Sequence, residues 1–567
     1  YQSCLSCLRA QKCAILNNIV QLSWRRLRQN IPAFIKGTLR RQADSLLPSH
    51  EVSEYRAWIT RRLAQRQLAY TNPVPPGLLS LLTAVWDGSP LQYLKTLANS
   101  IIEQNAEGTC EWVLLDNGCS QPQLRAYLER LSHYPWVQLH RMETNVGITR
   151  GLRYCLEQAT NQYIVPVDAD DYLYPDALRI LSAWIENAGY PVALYSDEDK
   201  IIGTRFYQPY LKPDWDPVLL ANSAYIAHLG AVQRTEAIKL GAYTDPATEG
   251  SPDWDLFMRL MLAGHAAVHI PEVLYSWRVH ARSTADDAAS KPYVHASQKA
   301  VLQRFLEAKN LTDRFTVENS PLLNGMAHWH FSRKQQDAKP LEIVRIHAAN
   351  ARSDARALQP LAREMAAKHG FLAFIGEDVE LERADWTWEA FGLFELHPDT
   401  AMVGGRIANR KGVITEAGRY FGYGGVCGCP HRGRPVTDPG YFTQMWKQRS
   451  VSAVSTQFAV VDAAFLAELL HHLPRISLAY LGVWAGAYAF RTGKRIVYSP
   501  FLSGISELDW EQWWDPAEQA FFAGVNRDLI PDHRFYSRCL SLQKPFAFAD
   551  QLDVAPLPSL RMHSVAP

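Results

Sequence analysis

Short apolar runs alternate with helix-spaced apolar positions through the first half of the chain. Leu78 to Val85 reads as a buried strand, and Trp86 to Pro90 as the loop that follows. Leu91, Leu94, Leu97, Ala98, Ile101 and Ile102 recur at helical spacing. Trp112 to Leu115 predicts a second strand, and Leu124, Tyr127, Leu128 and Leu131 a second helix. Trp136 to Leu139 predicts a third strand, Asn145-Val-Gly147 leads into a helix, and Tyr163 to Val167 predicts a fourth strand. Pro175 suits a first helical position, with Ala177, Leu178, Ile180, Leu181, Trp184 and Ile185 on one face behind it. Strand and helix in alternation predict a parallel sheet covered on both faces. Polar residues at the carboxyl ends of such strands line the ligand crevice, so Asp116 and Asp168 are expected at one site.

The fourth strand stops at Asp168-Ala169-Asp170-Asp171. Clustered carboxylates repel, and a divalent cation, Mg²⁺ or Mn²⁺, is one reason to gather them, because it takes hard oxygen ligands and commonly binds a substrate phosphate too. A solvated acidic turn capping the next helix is the other reading. Two later segments add polar chemistry. Thr248 to Arg259 is a loop entering an amphipathic helix, with Asp253 at its mouth and Asp255 two residues on. Val268 to Pro271 is strand-like, and Tyr275-Ser-Trp-Arg278-Val-His280 follows it, a histidine among arginines and hydroxyls up to Ser283 and Thr284.

Composition narrows the class. With 567 residues the chain has room for two to four domains. A net charge of +1 provides no global field for nucleic acid, and none is expected as a partner. The 17 Trp and 25 Tyr suit a carbohydrate-handling surface, although most aromatic side chains are core. Cys4 and Cys7 form a CxxC with Cys13 nearby but no second pair, and Cys427, Cys429 and His431 share a Gly-rich loop. Scattered cysteines without a framework fit a reducing cytoplasm. No apolar run reaches bilayer-spanning length and no secretory signal is legible. Arg25, Arg26, Arg28, Lys36, Arg40 and Arg41 are interleaved with Leu27, Ile31, Phe34 and Ile35, so this stretch fits either peripheral contact with an anionic membrane surface or an ordinary solvated helix face.

From about Tyr55 to Thr284 the order and spacing of these segments resemble family 2 glycosyltransferases of the GT-A fold, in particular bacterial O-antigen and rhamnan-type enzymes. Leu81-Leu-Thr-Ala84-Val85-Trp86-Asp is similar to the family's first strand, departing from it where a proline commonly stands at Ala84. Leu115-Asp116-Asn-Gly-Cys-Ser resembles the turn whose first Asp binds the nucleobase. Asn145-Val-Gly147 resembles the NxG segment, and Asp168-Ala169-Asp170 the metal-binding DxD. Gly250-Ser-Pro-Asp253-Trp254-Asp255-Leu resembles the segment carrying the catalytic base, and Tyr275 to His280 the segment whose last His ligates the metal. The resemblance therefore implies Asp253 as base, with Asp255 its rival, and Asp168, Asp170 and His280 as metal ligands. It also implies Ala84, Val85, Trp86, Asp116, Asn145, Gly147, Asp168 and Ala169 at a UDP- or dTDP-sugar. Segments around Asp197 and Trp215, with Trp254, Asp255 and Arg278, are implied on the side of a saccharide or lipid-linked acceptor. The expected activity is metal-dependent, inverting transfer in surface polysaccharide synthesis. A catalytically inactive binding scaffold of the same fold is the alternative. A nucleotidyltransferase is disfavoured because Trp86 to Pro90 is not a basic, Gly-rich phosphate loop.

The second half echoes the first. Phe371 to Asp378 lines up with Tyr163 to Asp170, and Gly493 to Pro500 with Gly264 to Pro271, but Gly376 stands where Asp168 does and Gly482 where Asp253 does. The organisation expected is a helical segment over 1–72, a GT-A domain over 73–315, a connector over 316–345 and a degenerate GT-A-like α/β module over 346–567. The first domain is expected to hold a mostly parallel sheet.

Overall fold

The computed structural model describes residues 49–280, 292–323, 328–335 and 339–550. The basic stretch from Arg25 to Arg41, the three N-terminal cysteines, and Ser283 and Thr284 lie outside the described residues. The chain divides into two compact units, Tyr1–Thr60 and Arg61–Pro567. Of the first, the described part is helical: α1 starts at Ser49 and runs on to Ala69. Among the described residues no helix is long and apolar enough to cross a membrane.

In the second unit the alternating pattern becomes β1 (Leu79–Val85), α2 (Leu91–Gln104), β2 (Glu111–Asn117), α3 (Pro122–Leu131), β3 (Val137–Met142), α4 (Ile148–Gln158) and β4 (Tyr163–Pro166). β5 (Tyr172–Leu173), α5 (Ala177–Asn187), β6 (Ala193–Ile202), β7 (Arg205–Tyr210), β8 (Gly230–Gln233), α6 (Arg234–Lys239), α7 (Pro252–Leu262) and β9 (Ala267–Arg278) complete the first sheet and its helices. The strand order is β3-β2-β1-β4-β8-β6-β9-β5, with β7 paired to β6. β1, β2, β3 and β4 are parallel, as the continuous apolar runs predict. Beyond β4 the sheet is mixed, which corrects the expectation of a mostly parallel one: β8 runs antiparallel to both β4 and β6, and β5 antiparallel to β9. β8 has four residues with only Ala231 and Val232 buried, too short for a periodic signal. Because β8 reverses direction twice over, β4, β6 and β9 all point the same way, and their carboxyl ends share one edge.

A second sheet follows. It comprises β12 (Leu341–Ile346), β13 (Phe371–Gly376), β14 (Glu380–Leu381), β15 (Thr400–Ala408), β20 (Phe458–Asp462) and β21 (Arg495–Ile505), with β16 (Ile414–Glu416) and β19 (Arg449–Val451) attached. Its order, β12-β13-β20-β15-β21-β14, repeats β1-β4-β8-β6-β9-β5 pair by pair, parallel where the first is parallel and antiparallel where it is antiparallel. Among the described residues it has no strands equivalent to β2 and β3, and the interval between Leu341 and Gly370 is too short for them. Most of a hairpin of β10 (Phe315–Asn319) and β11 (Trp329–Arg333), and the first residues of β12, fall within the stretch expected as a connector.

Polar contacts join the two sheets. The Asp216 carboxylate accepts from the Ser450 amide at 2.7 Å and the Ser450 hydroxyl at 2.6 Å. Tyr441 donates to the Pro209 carbonyl at 2.9 Å and accepts from the Leu211 amide at 2.8 Å, while Phe442 stacks on Tyr210 at 3.9 Å. Under the first sheet, buried Arg62 and Arg66 pair with Glu272 and Asp176, their Nε atoms 2.9 Å from the carboxylates. These charges are hydrogen-bonded from both sides, the condition for tolerating ions out of water.

Candidate active site

The carboxyl edge of the first sheet collects loops that are tied to one another. Asp116, fully buried near the end of β2, accepts from the Cys119 amide at 2.8 Å and from Arg141 Nε at 2.8 Å. The intervening Gly118 has a φ of +72°, and a Cβ there would sit 2.3 Å from the Asn145 amide nitrogen, so this turn lies against the next loop. Asn145 Oδ1 accepts from the Gly147 amide at 2.9 Å and from Asn117 at 3.2 Å. Glu249 accepts from the amides of Ile148 and Thr149 at 2.7 and 3.0 Å, placing a carboxylate on the amino end of α4, where the helix dipole favours it. Asp87, not singled out by the sequence pattern, accepts from the Ser120 and Gln121 amides and so joins the β1–α2 loop to the β2–α3 loop. Trp86 beside it is half exposed, Ala84 is partly buried, and Val85 and Ala169 are buried.

The acids lie at the centre of this edge. Ligand atoms of Asp168, Asp171 and His228 all fall within 4.8 Å of one another, a set able to hold a metal ion. Asp171 is buried and accepts from the Tyr275 hydroxyl and the Arg278 amide, each at 2.7 Å. His228 stacks on Tyr275, ring centroids 4.8 Å apart. Asp170 turns the other way, its Oδ2 lying 2.6 Å from His280 Nε2, while its carbonyl accepts from Arg278 Nε at 2.6 Å. Asp168 thus clusters with two residues the pattern did not assign, Asp171 and His228, while the expected Asp170 and His280 pair with each other. Asp171 was legible as a third acid. His228 lies in a non-periodic stretch and gave no signal.

Electrostatics mark the same place. Burial raises the Asp168 carboxyl to about 6, with His228 opposing and Asp170 and Asp253 adding to the rise. Burial, with the Asp170 and Asp168 charges, holds Asp171 well above the carboxylate range. Asp253, in the first turn of α7, is pushed up to about 7 by burial. Neither the Asp168 nor the Asp253 carboxylate accepts a hydrogen bond among the described residues. Oxygen donors with imidazole, crowded until they resist ionising, fit a hard divalent cation.

Of the five residues expected on the acceptor side, four are buried. A helix turns about 100° per residue, so Asp253 faces the edge while its neighbours rotate inward. Trp254 is in the core, its indole N–H donating to the Leu220 carbonyl at 2.9 Å. Asp255 is buried against Arg259, at 2.7 Å, and Arg304. Asp197 is buried, accepting from the Lys212 amide at 2.7 Å and lying 2.8 Å from His269 Nε2. Arg278 is buried over Tyr93. These four hold the fold together, and Trp215 alone of the five is partly exposed.

The equivalent edge of the second sheet is crowded at two of its positions. A Cβ at Gly376 would lie 3.1 Å from both the Trp510 ring and the Val379 side chain, so a larger residue there would have to push them back by a few tenths of an ångström. Asp378 Oδ2 accepts from the Ser506 hydroxyl at 2.6 Å and the Glu507 and Leu508 amides at 3.0 and 3.1 Å, while its buried Oδ1 has no hydrogen-bond partner among the described residues. A Cβ at Gly482 would meet the Val454 carbonyl at 2.0 Å.

Comparison with known proteins defines the class. Residues 87–238 match the family described as Glycosyl transferase family 2. Residues 87–238 thus correspond to a family 2 glycosyltransferase domain, and the chain is similar to bacterial O-antigen and wall-teichoic-acid type transferases. Among relatives, it is 26% identical over 438 residues to the uncharacterized protein y4gI of Sinorhizobium fredii (strain NBRC 101917 / NGR234), covering 68% of this chain and 48% of that one. It is 23% identical over 461 residues to the O-antigen biosynthesis protein RfbC of Myxococcus xanthus, covering 71% of this chain and 36% of that one. The chain thus spans half or less of the length of these two relatives. Among solved structures, Staphylococcus aureus TarS 1-349 in complex with UDP-GlcNAc matches over 42% of this chain and 70% of that one, at 17% identity and a TM-score of 0.35.

Proposed function

We propose that the chain is a metal-dependent, inverting glycosyltransferase. It moves a sugar from a UDP- or dTDP-linked donor to a saccharide or lipid-linked acceptor in bacterial surface polysaccharide synthesis. The observation that carries this reading is the meeting of Asp116, Asp168, Asp170 and Asp253 on one sheet edge, beside the family 2 match. Asp116 faces the nucleobase, with Arg141 as the partner that gives way or is retained. A Mg²⁺ or Mn²⁺ held by Asp168 and Asp170 with His280, or by Asp168 and Asp171 with His228, would supply positive charge against the departing diphosphate. Asp253 takes the acceptor hydroxyl proton as that oxygen attacks the anomeric carbon from the face opposite the diphosphate. One such displacement inverts the anomeric centre. A carboxyl raised to about 7 is matched to that task near neutral pH.

In this reading residues 73–315 form the catalytic domain and 346–567 a degenerate second copy, non-catalytic because Gly376 and Gly482 replace its acids. The names of relatives support the polysaccharide assignment: RfbC is an O-antigen biosynthesis protein, and TarS is a poly(ribitol-phosphate) β-N-acetylglucosaminyltransferase. The test pairs Asp253→Asn with the native protein. Transfer should vanish while nucleotide-sugar binding, read by calorimetry, survives, and the native product should show an inverted anomeric proton by NMR. Full transfer by the variant, or a retained anomer, removes the mechanism.

A further inference from the structure

A cleft of about 670 Å³ opens between the two sheets, well within the size range of small-molecule sites. It is lined by the amino-terminal ends of β9 and β21, among them Ala267, Val268, Arg495 and Ile496. The candidate active site lies at the carboxyl ends of strands that run the same way as β9. β9 is bulged against β6, where Ala267 and Ser276 pair with Ala193 and Asp199, and Ser276 also pairs with Tyr172 just past the acids, so the cleft lies roughly 20 Å from them.

The lining is basic once its internal pairs are removed. Asp214 lies 2.9 Å from His269 Nδ1. Burial opposes the His269 charge, but Asp197 and Asp214 carry its pKa up to about 9. Asp399 is held by Arg495 at 2.7 Å. Arg534 is held by Asp532 at 2.9 Å and lies over the rings of Phe490 and Phe535, at 4.2 and 4.9 Å. Every carboxylate of the lining is thereby taken. Exposed Lys494 and half-buried Arg538 also line the cleft, and among the described residues neither forms an ion pair or a side-chain hydrogen bond. His533, a third lining residue, has a buried Nδ1 outside any hydrogen bond among the described residues, while its ring also interacts with the Tyr536 backbone and the Asp532 and Asp214 charges. Trp215 and Phe490 add partly exposed ring surface.

Two unneutralised cations, an imidazole nitrogen outside any hydrogen bond and aromatic surface together ask for a ligand with negative charge, hydroxyl groups and apolar ring faces. We infer that this cleft binds an acidic oligosaccharide, one whose sugars carry carboxylate or phosphate groups, at a distance from the reacting atoms. The anion requirement stands on the cleft alone, and the choice of a saccharide rests on the transferase reading above. Such a site would hold a polymer by a segment remote from its growing end.

The test is calorimetric titration of the full chain with an oligogalacturonate, a sugar phosphate, a neutral malto-oligosaccharide of equal length, and inorganic phosphate. The acidic saccharides should bind saturably and the neutral one at least tenfold more weakly. Lys494→Ala/Arg538→Ala and the charge reversal Lys494→Glu/Arg538→Glu should each weaken binding tenfold or more, while UDP-induced thermal stabilisation stays unchanged. Both lysine and arginine lack fold-supporting bonds, so the variants should fold. Equal binding of the neutral saccharide, unchanged binding by both variants, or phosphate binding as tightly as the acidic saccharides overturns the inference. Saccharide binding by a protein that turns over no donor would support the cleft and count against the transferase reading.

Discussion

Replacing Asp253 by Asn should inactivate the protein and stabilise it at the same time. The carboxyl is raised from its ordinary 3.8 to about 7 by burial, with no hydrogen bond to offset that cost. A folded-state value above the unfolded one means the folded protein holds the proton more tightly. Stability is therefore full below about 4 and is lost as pH rises from about 4 to about 7. At roughly 1.4 kcal/mol per pH unit, the charged group costs about 4 kcal/mol at pH 8, and partial solvent access lowers this to about 2–4 kcal/mol. Asparagine keeps the shape and drops the charge. In chelator, urea unfolding at pH 8 should show the variant more stable by that amount, and the difference should shrink toward zero near pH 4. A variant no more stable than the native protein at pH 8 would refute the claim that Asp253 is an uncompensated buried acid, and would leave its selection as base without a physical ground. Activity traded against stability in this way is the usual mark of a functional residue.

Mn²⁺ should raise the melting temperature of the native protein at pH 8 and do so less at pH 5, because protons compete for the Asp168 carboxyl below about 6; the shift should disappear in Asp168→Asn, and an equal shift in that variant contradicts the cluster. Arg66→Ala should cost about 3–5 kcal/mol in urea unfolding, since it strands the buried Asp176 carboxylate, and a loss under 1 kcal/mol would show that the pair is solvated. Gly482→Asp should unfold or destabilise the protein without creating a second activity, because the new Cβ strikes the Val454 carbonyl; a folded variant with extra turnover would show that the second sheet retains a working site.

Much of this architecture was legible from the chain alone, for a physical reason. β1, β2 and β4 are buried on both faces, so they appear as largely apolar runs, broken in β1 only by Ser80 and Thr83, that end abruptly at polar residues. That ending located Asp116 and Asp168 on a common edge before any side chain was placed. The echo between Phe371–Asp378 and Tyr163–Asp170 was legible too, and the matching strand orders give it a structural counterpart. Short strands were not legible: β5, β8 and β14 span two to four residues, less than a pattern needs. Nor was the direction of each polar side chain. Trp254 and Asp255 sit beside the expected base, yet helical rotation buries them. His228 reaches the acids through tertiary packing on Tyr275, and nothing local in the sequence announces that.

The most direct test of the central claim is release of nucleoside diphosphate from UDP- and dTDP-sugars. It should be measured for the native protein with Mn²⁺, with chelator, and for Asp253→Asn with Mn²⁺. Release with Mn²⁺ that is lost in both controls is the predicted result. No release from any donor, or release undiminished by chelator and by the substitution, would contradict a metal-dependent transferase acting at the edge where Asp116, Asp168 and Asp253 meet.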